Sequence, residues 1–162
     1  MTKCAEDLMQ TRVVTVGTDD PIASVFRLFT DEEISGAPVV DEYGRVVGVV
    51  SIRDLLRSSN EEQEATQTDL DYFRDGLAYA KSEGMMEDLD YEDRLAQRMV
   101  SDVMTADVIA VRRKTPISDV VEAILENRIH RILVVDEAQN GKTLAGLISL
   151  FDLVALLRKP TV

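Results

Sequence analysis

Two short stretches of this 162-residue chain place a hydroxyl and a carboxylate at the same spacing, Ser51-x-x-Asp54 and Ser149-x-x-Asp152. Each follows an apolar run and opens a helical pattern. A carboxylate in the first turn of a helix is favoured by the helix dipole and presents two acceptor oxygens. Such a group can accept charge-assisted hydrogen bonds from a polar ligand. The same layout is close to a capping box, in which the serine and the acid satisfy backbone amides with no ligand at all. A second polar group, His130–Arg131, stands at the entrance of the apolar run ILVVD (132–136). A guanidinium can clamp a phosphate through two parallel donors. Pairing of Arg131 with an acid from the segment 59–98, beside a half-buried His130, is the alternative. Arg112 and Arg113 follow another apolar stretch and add positive charge, or mark a solvated turn.

These residues belong to elements that occur twice. AEDLMQTRVVTV (5–16) aligns with VSDVMTADVIAV (100–111), DDPIASVFRLF (19–29) with KTPISDVVEAI (114–124), and ISGAPVVDE (34–42) with IHRILVVDE (129–137), all 95 residues apart. After a longer loop in the second copy, GVVSIRDLL (48–56) aligns with GLISLFDLV (146–154), 98 residues apart. Repeats are sought first because missing one misreads the fold.

Each copy predicts a helical turn ending at Met9 or Met104, then a strand over 13–16 or 108–111. A helix opens at Pro21 or Pro116, with Asp20 or Thr115 as N-cap. Its apolar face is Ile22, Val25, Phe26 and Phe29 in one copy, and Ile117, Val120, Val121, Ile124 and Leu125 in the other. Two strands follow, 37–41 and 46–51, then 131–135 and 143–149. A last helix starts near Ser51 or Ser149. Gly48 and Gly146 mark a bulge or a close backbone approach in the third strand. The expected fold is α+β: two β-α-β-β-α repeats packed about a pseudo-two-fold axis, over 1–58 and 99–162, with clefts between them as ligand sites.

Residues 59–98 separate the copies and form an acidic helical insert. Within 61–98 there are twelve acids and four bases, so most of the chain's net charge of −12 lies there. Leu70, Phe73, Leu77 and Ala80 share a helical face between Thr68 and Gly84. A second helical stretch over about 90–99 carries Leu95 and Met99. A connector with one docked face, a cap over a cleft, and a dimer-contact arm all fit this pattern.

Composition narrows the function. The hydrophobic fraction of 45% suits a folded protein, and the 5% aromatic content, without Trp, predicts an aliphatic core. Strong acidity argues against nucleic acid and anionic membranes as partners. One cysteine, Cys4, and one histidine exclude an intrachain disulfide and a multi-histidine metal site, so no metal is expected. Cys4 reads as a semi-buried small residue. Neither a membrane span nor a signal peptide is visible, which fits a cytoplasmic-type protein. There is no P-loop, no Gly-rich dinucleotide turn and no Ser-His-Asp context. Binding is expected, and catalysis is not.

On the residues DLM and DVM, the helix-opening prolines, APVVD and ILVVD, and GVVSIRD and GLISLFD, the chain resembles a tandem CBS-domain pair, or Bateman module, of the stand-alone kind. The likeness covers about 115 residues and leaves out most of the insert. It implies a regulatory module, usually homodimeric, that binds an adenosine compound such as AMP, ADP, ATP or S-adenosylmethionine and changes a surface seen by a partner protein. No cofactor is required. A ligand-free assembly scaffold is the second expectation. By family position Asp54 and Asp152, with Ser51 and Ser149, would hold the ribose. His130, Arg131 and Arg113 would hold phosphate. Val16, Ile34 and Ala37 would line one adenine slot, and Val111, Ile129 and Ile132 the other. The first copy has Ser35 and Gly36 where the second has His130 and Arg131, so phosphate binding would be asymmetric.

Overall fold

The computed structural model describes residues 2–57, 71–74 and 97–158. They form two compact units. One spans Val14–Val108; the other joins Met1–Val13 to Ile109–Val162. The units and the sequence repeats are therefore cut at different points. The lead-in of each repeat belongs to the unit that holds the rest of the other.

In the Val14–Val108 unit the order is β1 (Val16–Gly17), α2 (Ile22–Asp31), β2 (Gly36–Val40), β3 (Val46–Ser51), α3 (Ile52–Arg57) and α4 (Asp71–Arg74). A 3-10 turn, Val100–Asp102, completes it. The other unit contains α1 (Ala5–Leu8), β4 (Ala110–Arg112), α5 (Ile117–Asn127), β5 (Arg131–Ala138), β6 (Gly141–Ser149) and α6 (Leu150–Ala155). Each carries a three-stranded sheet, ordered β1-β2-β3 or β4-β5-β6, with one parallel and one antiparallel pairing. The α+β reading and the repeated element order hold.

Helical periodicity buries the predicted face of α2: Ile22 and Phe29 are fully buried, with Val25 and Phe26 nearly so. In α5, Val120 and Ile124 are buried but Leu125 is 69% exposed, contrary to the expected face. Both helices end in a left-handed residue, Glu33 (φ 54°) or Arg128 (φ 53°). The amide of the next residue then reaches back: Ile34 donates to the Phe29 carbonyl at 3.0 Å, and Ile129 to that of Ile124 at 3.1 Å. This is the Schellman arrangement, whose apolar residue after the turn folds back over the helix end.

The helix starts differ from expectation. Pro21 and Pro116 are themselves the N-caps, and the helices begin at Ile22 and Ile117. Asp20 accepts from the Gly17 amide at 2.7 Å, and Thr115 from the Arg112 amide at 3.1 Å, so both close the preceding turn. The exchanged lead-ins explain the change. Ile22 donates its amide to the Arg98 carbonyl and Ile117 to the Lys3 carbonyl, each at 3.0 Å. A helix-start amide that needs a partner finds one in backbone instead of a side chain.

Further along, each lead-in pairs with the third strand of its unit. Gln10 and Leu147 exchange two backbone hydrogen bonds of 2.8 and 2.9 Å; Thr105 and Val49 exchange two of 2.9 Å. Gly48 and Gly146 lie beside the register shifts in β3 and β6. A Cβ on Gly48 would stand 2.6 Å from the Thr105 carbonyl oxygen, and one on Gly146 2.6 Å from that of Gln10. Both glycines therefore serve close approach as well as the bulge.

Of the insert, α4 is described. Phe73 is fully buried, as its helical face predicted, and Tyr72 is nearly so. Their rings meet edge to face at 5.0 Å. Leu70, Leu77, Ala80 and Leu95 lie outside the described residues. Met99 is extended, not helical, and half exposed. Among the described residues no helix is long and apolar enough to cross a membrane.

Candidate ligand-binding site

The Ser149–Asp152 pair forms the predicted capping box at the start of α6. Asp152 Oδ2 accepts from the Ser149 amide and from Ser149 Oγ, both at 2.8 Å, and the Asp152 amide faces Ser149 Oγ at 3.4 Å. A further partner comes from the lead-in. Gln10 Nε2 donates to Asp152 Oδ1 at 2.9 Å and to Oδ2 at 3.1 Å. Sequence reasoning missed Gln10, because 142 residues separate it from Asp152. Only the β-bridge to Leu147 brings it there.

The first repeat repeats the box but not the surroundings. Asp54 Oδ2 accepts from the Ser51 amide at 2.7 Å and from Ser51 Oγ at 3.0 Å. The residue aligned with Gln10 is Thr105, which has no side-chain amide. Ser51 and Asp54 are buried, at 1% and 8% exposure, whereas Ser149 and Asp152 are half-buried. Both capping boxes thus exist as local structure, and only the second keeps its carboxylate partly open.

The backbone of His130 and Arg131 is paired with that of Ser149 and Leu150. Arg131 faces Ser149 in the β5–β6 register, and the His130 carbonyl accepts the Leu150 amide at 2.9 Å. The imidazole is exposed, not half-buried, and Arg131 is half-buried. Arg113 is not brought to this corner. Arg112 pairs with Val135, four residues along β5 from Arg131, roughly 13 Å at the rise of a strand. There Arg113 Nε donates to both oxygens of Asp136, at 2.7 and 2.9 Å, and Arg112 bonds Glu137 at 3.0 Å. The hydrogen bond from Arg113 holds the Asp136 carboxyl below its ordinary value, and the same bond raises the guanidinium.

Of the expected adenine contacts, Val16 and Ala37 lie in the hydrophobic core of their unit, with Ile34 packed against it. Ile129 and Ile132 are buried, and Val111 is half-buried on β4 opposite Val134. Ile34 and Ile129 also have the structural task of closing the helix ends described above.

Cys4 Sγ lies 3.2 Å from Asp7 Oδ2. That hydrogen bond to the acid raises the thiol pKa, so the thiolate is disfavoured. Among the described residues no group of three or more His, Cys, Asp or Glu could hold a metal.

Comparison with known proteins matches this architecture. The family model described as CBS domain matches residues 5–61 and 100–159. An uncharacterised protein of Methanocaldococcus jannaschii is 33% identical over 157 residues, covering 94% of this chain and 89% of the relative. The solved CBS domain of a CBS domain-containing membrane protein from Sphaerobacter thermophilus superposes with a TM-score of 0.68 at 26% identity, over 97% of this chain and 89% of that one. CBSX2, a CBS-pair protein of Arabidopsis thaliana solved in complex with AMP, superposes with a TM-score of 0.65 at 23% identity, over 96% of each chain. The chain belongs to the CBS-domain family, with one matched domain in each of its two sequence repeats.

Proposed function

We propose that the chain is a regulatory sensor, not a catalyst, that binds an adenosine nucleotide and reports occupancy to a partner protein. The observation that carries this reading is the Ser149–Asp152 capping box, whose backbone is paired with that of His130 and Arg131. Asp152 offers two acceptor oxygens, His130 is exposed and Arg131 is half-buried. That pairing suits a ribose diol joined to a phosphate. The AMP in the CBSX2 complex supports the ligand class. The ligand acts only through its differential affinity for two arrangements of the protein.

A thermal-shift panel of AMP, ADP, ATP, NAD and S-adenosylmethionine tests the reading. A ligand that binds the folded state raises the melting temperature progressively with concentration. A flat panel favours the ligand-free scaffold.

Gln10 adds a refinement. Its amide already occupies both oxygens of Asp152, and Oδ2 also serves the Ser149 amide and hydroxyl. A carboxylate offers about four acceptor positions. A diol needs two of them, so the Gln10 amide must turn aside. Losing one hydrogen bond of about 1 kcal/mol corresponds to roughly fivefold in affinity. Gln10→Ala is expected to tighten AMP binding about fivefold by calorimetry. Weaker binding would mean that Gln10 is itself a ligand contact.

The chain also exposes an apolar face on and just beyond α6: Phe151 (87%), Val154 (60%) and Leu157 (81%). A second copy of the chain is the occupant we assign to it, as a homodimer in a cytoplasmic setting. Sedimentation as a monomer at micromolar concentration would remove that assignment.

A further inference from the structure

The two repeats differ most sharply at one aligned pair, Gly36 and Arg131. Each opens the second strand of its sheet, and each faces the serine of the capping box: Gly36 faces Ser51, and Arg131 faces Ser149. The preceding carbonyls also match, since Ser35 accepts from Ile52 at 2.8 Å as His130 accepts from Leu150 at 2.9 Å. A side chain at either position leaves the strand at the same point of the fold.

In the first repeat that point is taken. A Cβ on Gly36 would stand 2.6 Å from Tyr72 Cδ2, 3.2 Å from Tyr72 Cε2 and 2.7 Å from the Val50 carbonyl oxygen, all inside contact distance. The ring comes from α4, the described part of the acidic insert. Tyr72 is 3% exposed and braced edge to face by fully buried Phe73. The surroundings match a closed site. Ser51, Asp54, Ile52 and Leu55 are buried, whereas their counterparts Ser149 and Asp152 are half-buried and Leu150 is exposed. Glycine at position 36 is therefore more than the loss of a cation. It is the residue that admits the ring.

We propose that Tyr72 is a built-in occupant of the first repeat, standing where a ligand-reading side chain projects in the second and closing the Ser51–Asp54 corner to nucleotides. The chain is then a one-site receptor whose ligand lies at the second repeat. The insert makes the repeats unequal by filling one of them. This inference rests on the nucleotide reading given above. It adds which repeat is open and what closes the other.

Calorimetry of the full chain with AMP is the test. The wild-type chain is expected to bind one AMP, Tyr72→Phe also one, and Tyr72→Ala two, the second more weakly. Two AMP per wild-type chain, or one per well-folded Tyr72→Ala chain, overturns the plug while leaving nucleotide binding intact. No heat from wild type or Tyr72→Ala removes the nucleotide reading and the plug with it. A photoreactive azido-AMP on the wild-type chain gives a second readout that needs no variant. Labelling confined to peptides containing 130–138 or 149–155 supports the plug. Label within 35–40 or 51–56 overturns it. Circular dichroism melting of each variant confirms folding before titration.

Discussion

Asp152→Ala is expected to weaken AMP binding at least tenfold. A ribose diol donating to this carboxylate makes two charge-assisted hydrogen bonds, each worth about 1.5–3 kcal/mol. Losing even one exceeds the 1.4 kcal/mol that corresponds to a factor of ten. The substitution has a structural cost as well. Asp152 caps the Ser149 amide and holds Gln10, so its removal frays the start of α6 and loosens the lead-in. A lost cap costs about 1 kcal/mol. Binding and folding are separated by comparing Asp152→Ala with Gln10→Ala. Both break the Gln10–Asp152 link, yet the first is expected to weaken AMP binding and the second to strengthen it. Opposite signs cannot come from a shared loss of stability. A dissociation constant unchanged by Asp152→Ala in calorimetry would sink the ribose assignment.

The reach of the sequence depends on how far apart the interacting residues are. The apolar face of α2, the paired strands after Ile34 and Ile129, and the Ser-x-x-Asp boxes are all local patterns of period 2, 3.6 or a fixed short spacing. They appear at their expected places within a residue or two, except that β5 runs three residues further, to Ala138. The sequence points to Asp20 and Thr115 as N-caps, one residue early, because the partners that satisfy Ile22 and Ile117 come from Arg98 and Lys3, distant in sequence. Gln10 lies beyond the same horizon, and so does the pairing of Arg113 with Asp136, which takes Arg113 from the phosphate group assigned to it. In the sequence Gly36 is a missing cation; the ring of Tyr72 and the Val50 carbonyl oxygen give its absent side chain a positive reason. In each case local chemistry named the residue type correctly, and tertiary contact decided its task.

The exchange of lead-ins ties fold to site, and Gly146→Val is expected to expose that link. A valine there places its Cβ 2.6 Å from the Gln10 carbonyl oxygen and 2.8 Å from Met9 Sδ, with two more methyl groups to accommodate. The thioether can swing away, because methionine is flexible. The carbonyl cannot, since it accepts the Leu147 amide at 2.9 Å while the Gln10 amide donates back at 2.8 Å. The strand must either take the overlap as strain, about 1–3 kcal/mol, or release the lead-in and lose two backbone hydrogen bonds. Release also withdraws the Gln10 side chain from Asp152 and uncovers buried Ala5. Either route destabilises the chain by about 1–3 kcal/mol, a large share of the 5–15 kcal/mol typical of a folded domain. Urea unfolding measures the loss, and hydrogen exchange at the Gln10 and Leu147 amides separates the routes. Protection that persists at both amides means strain; protection lost at both means release. On release the AMP affinity of the remaining folded chain is expected to rise as it does in Gln10→Ala, because the same amide has left the carboxylate. A destabilised chain that binds its ligand more tightly would identify the lead-in as a competitor for the site as well as part of the fold.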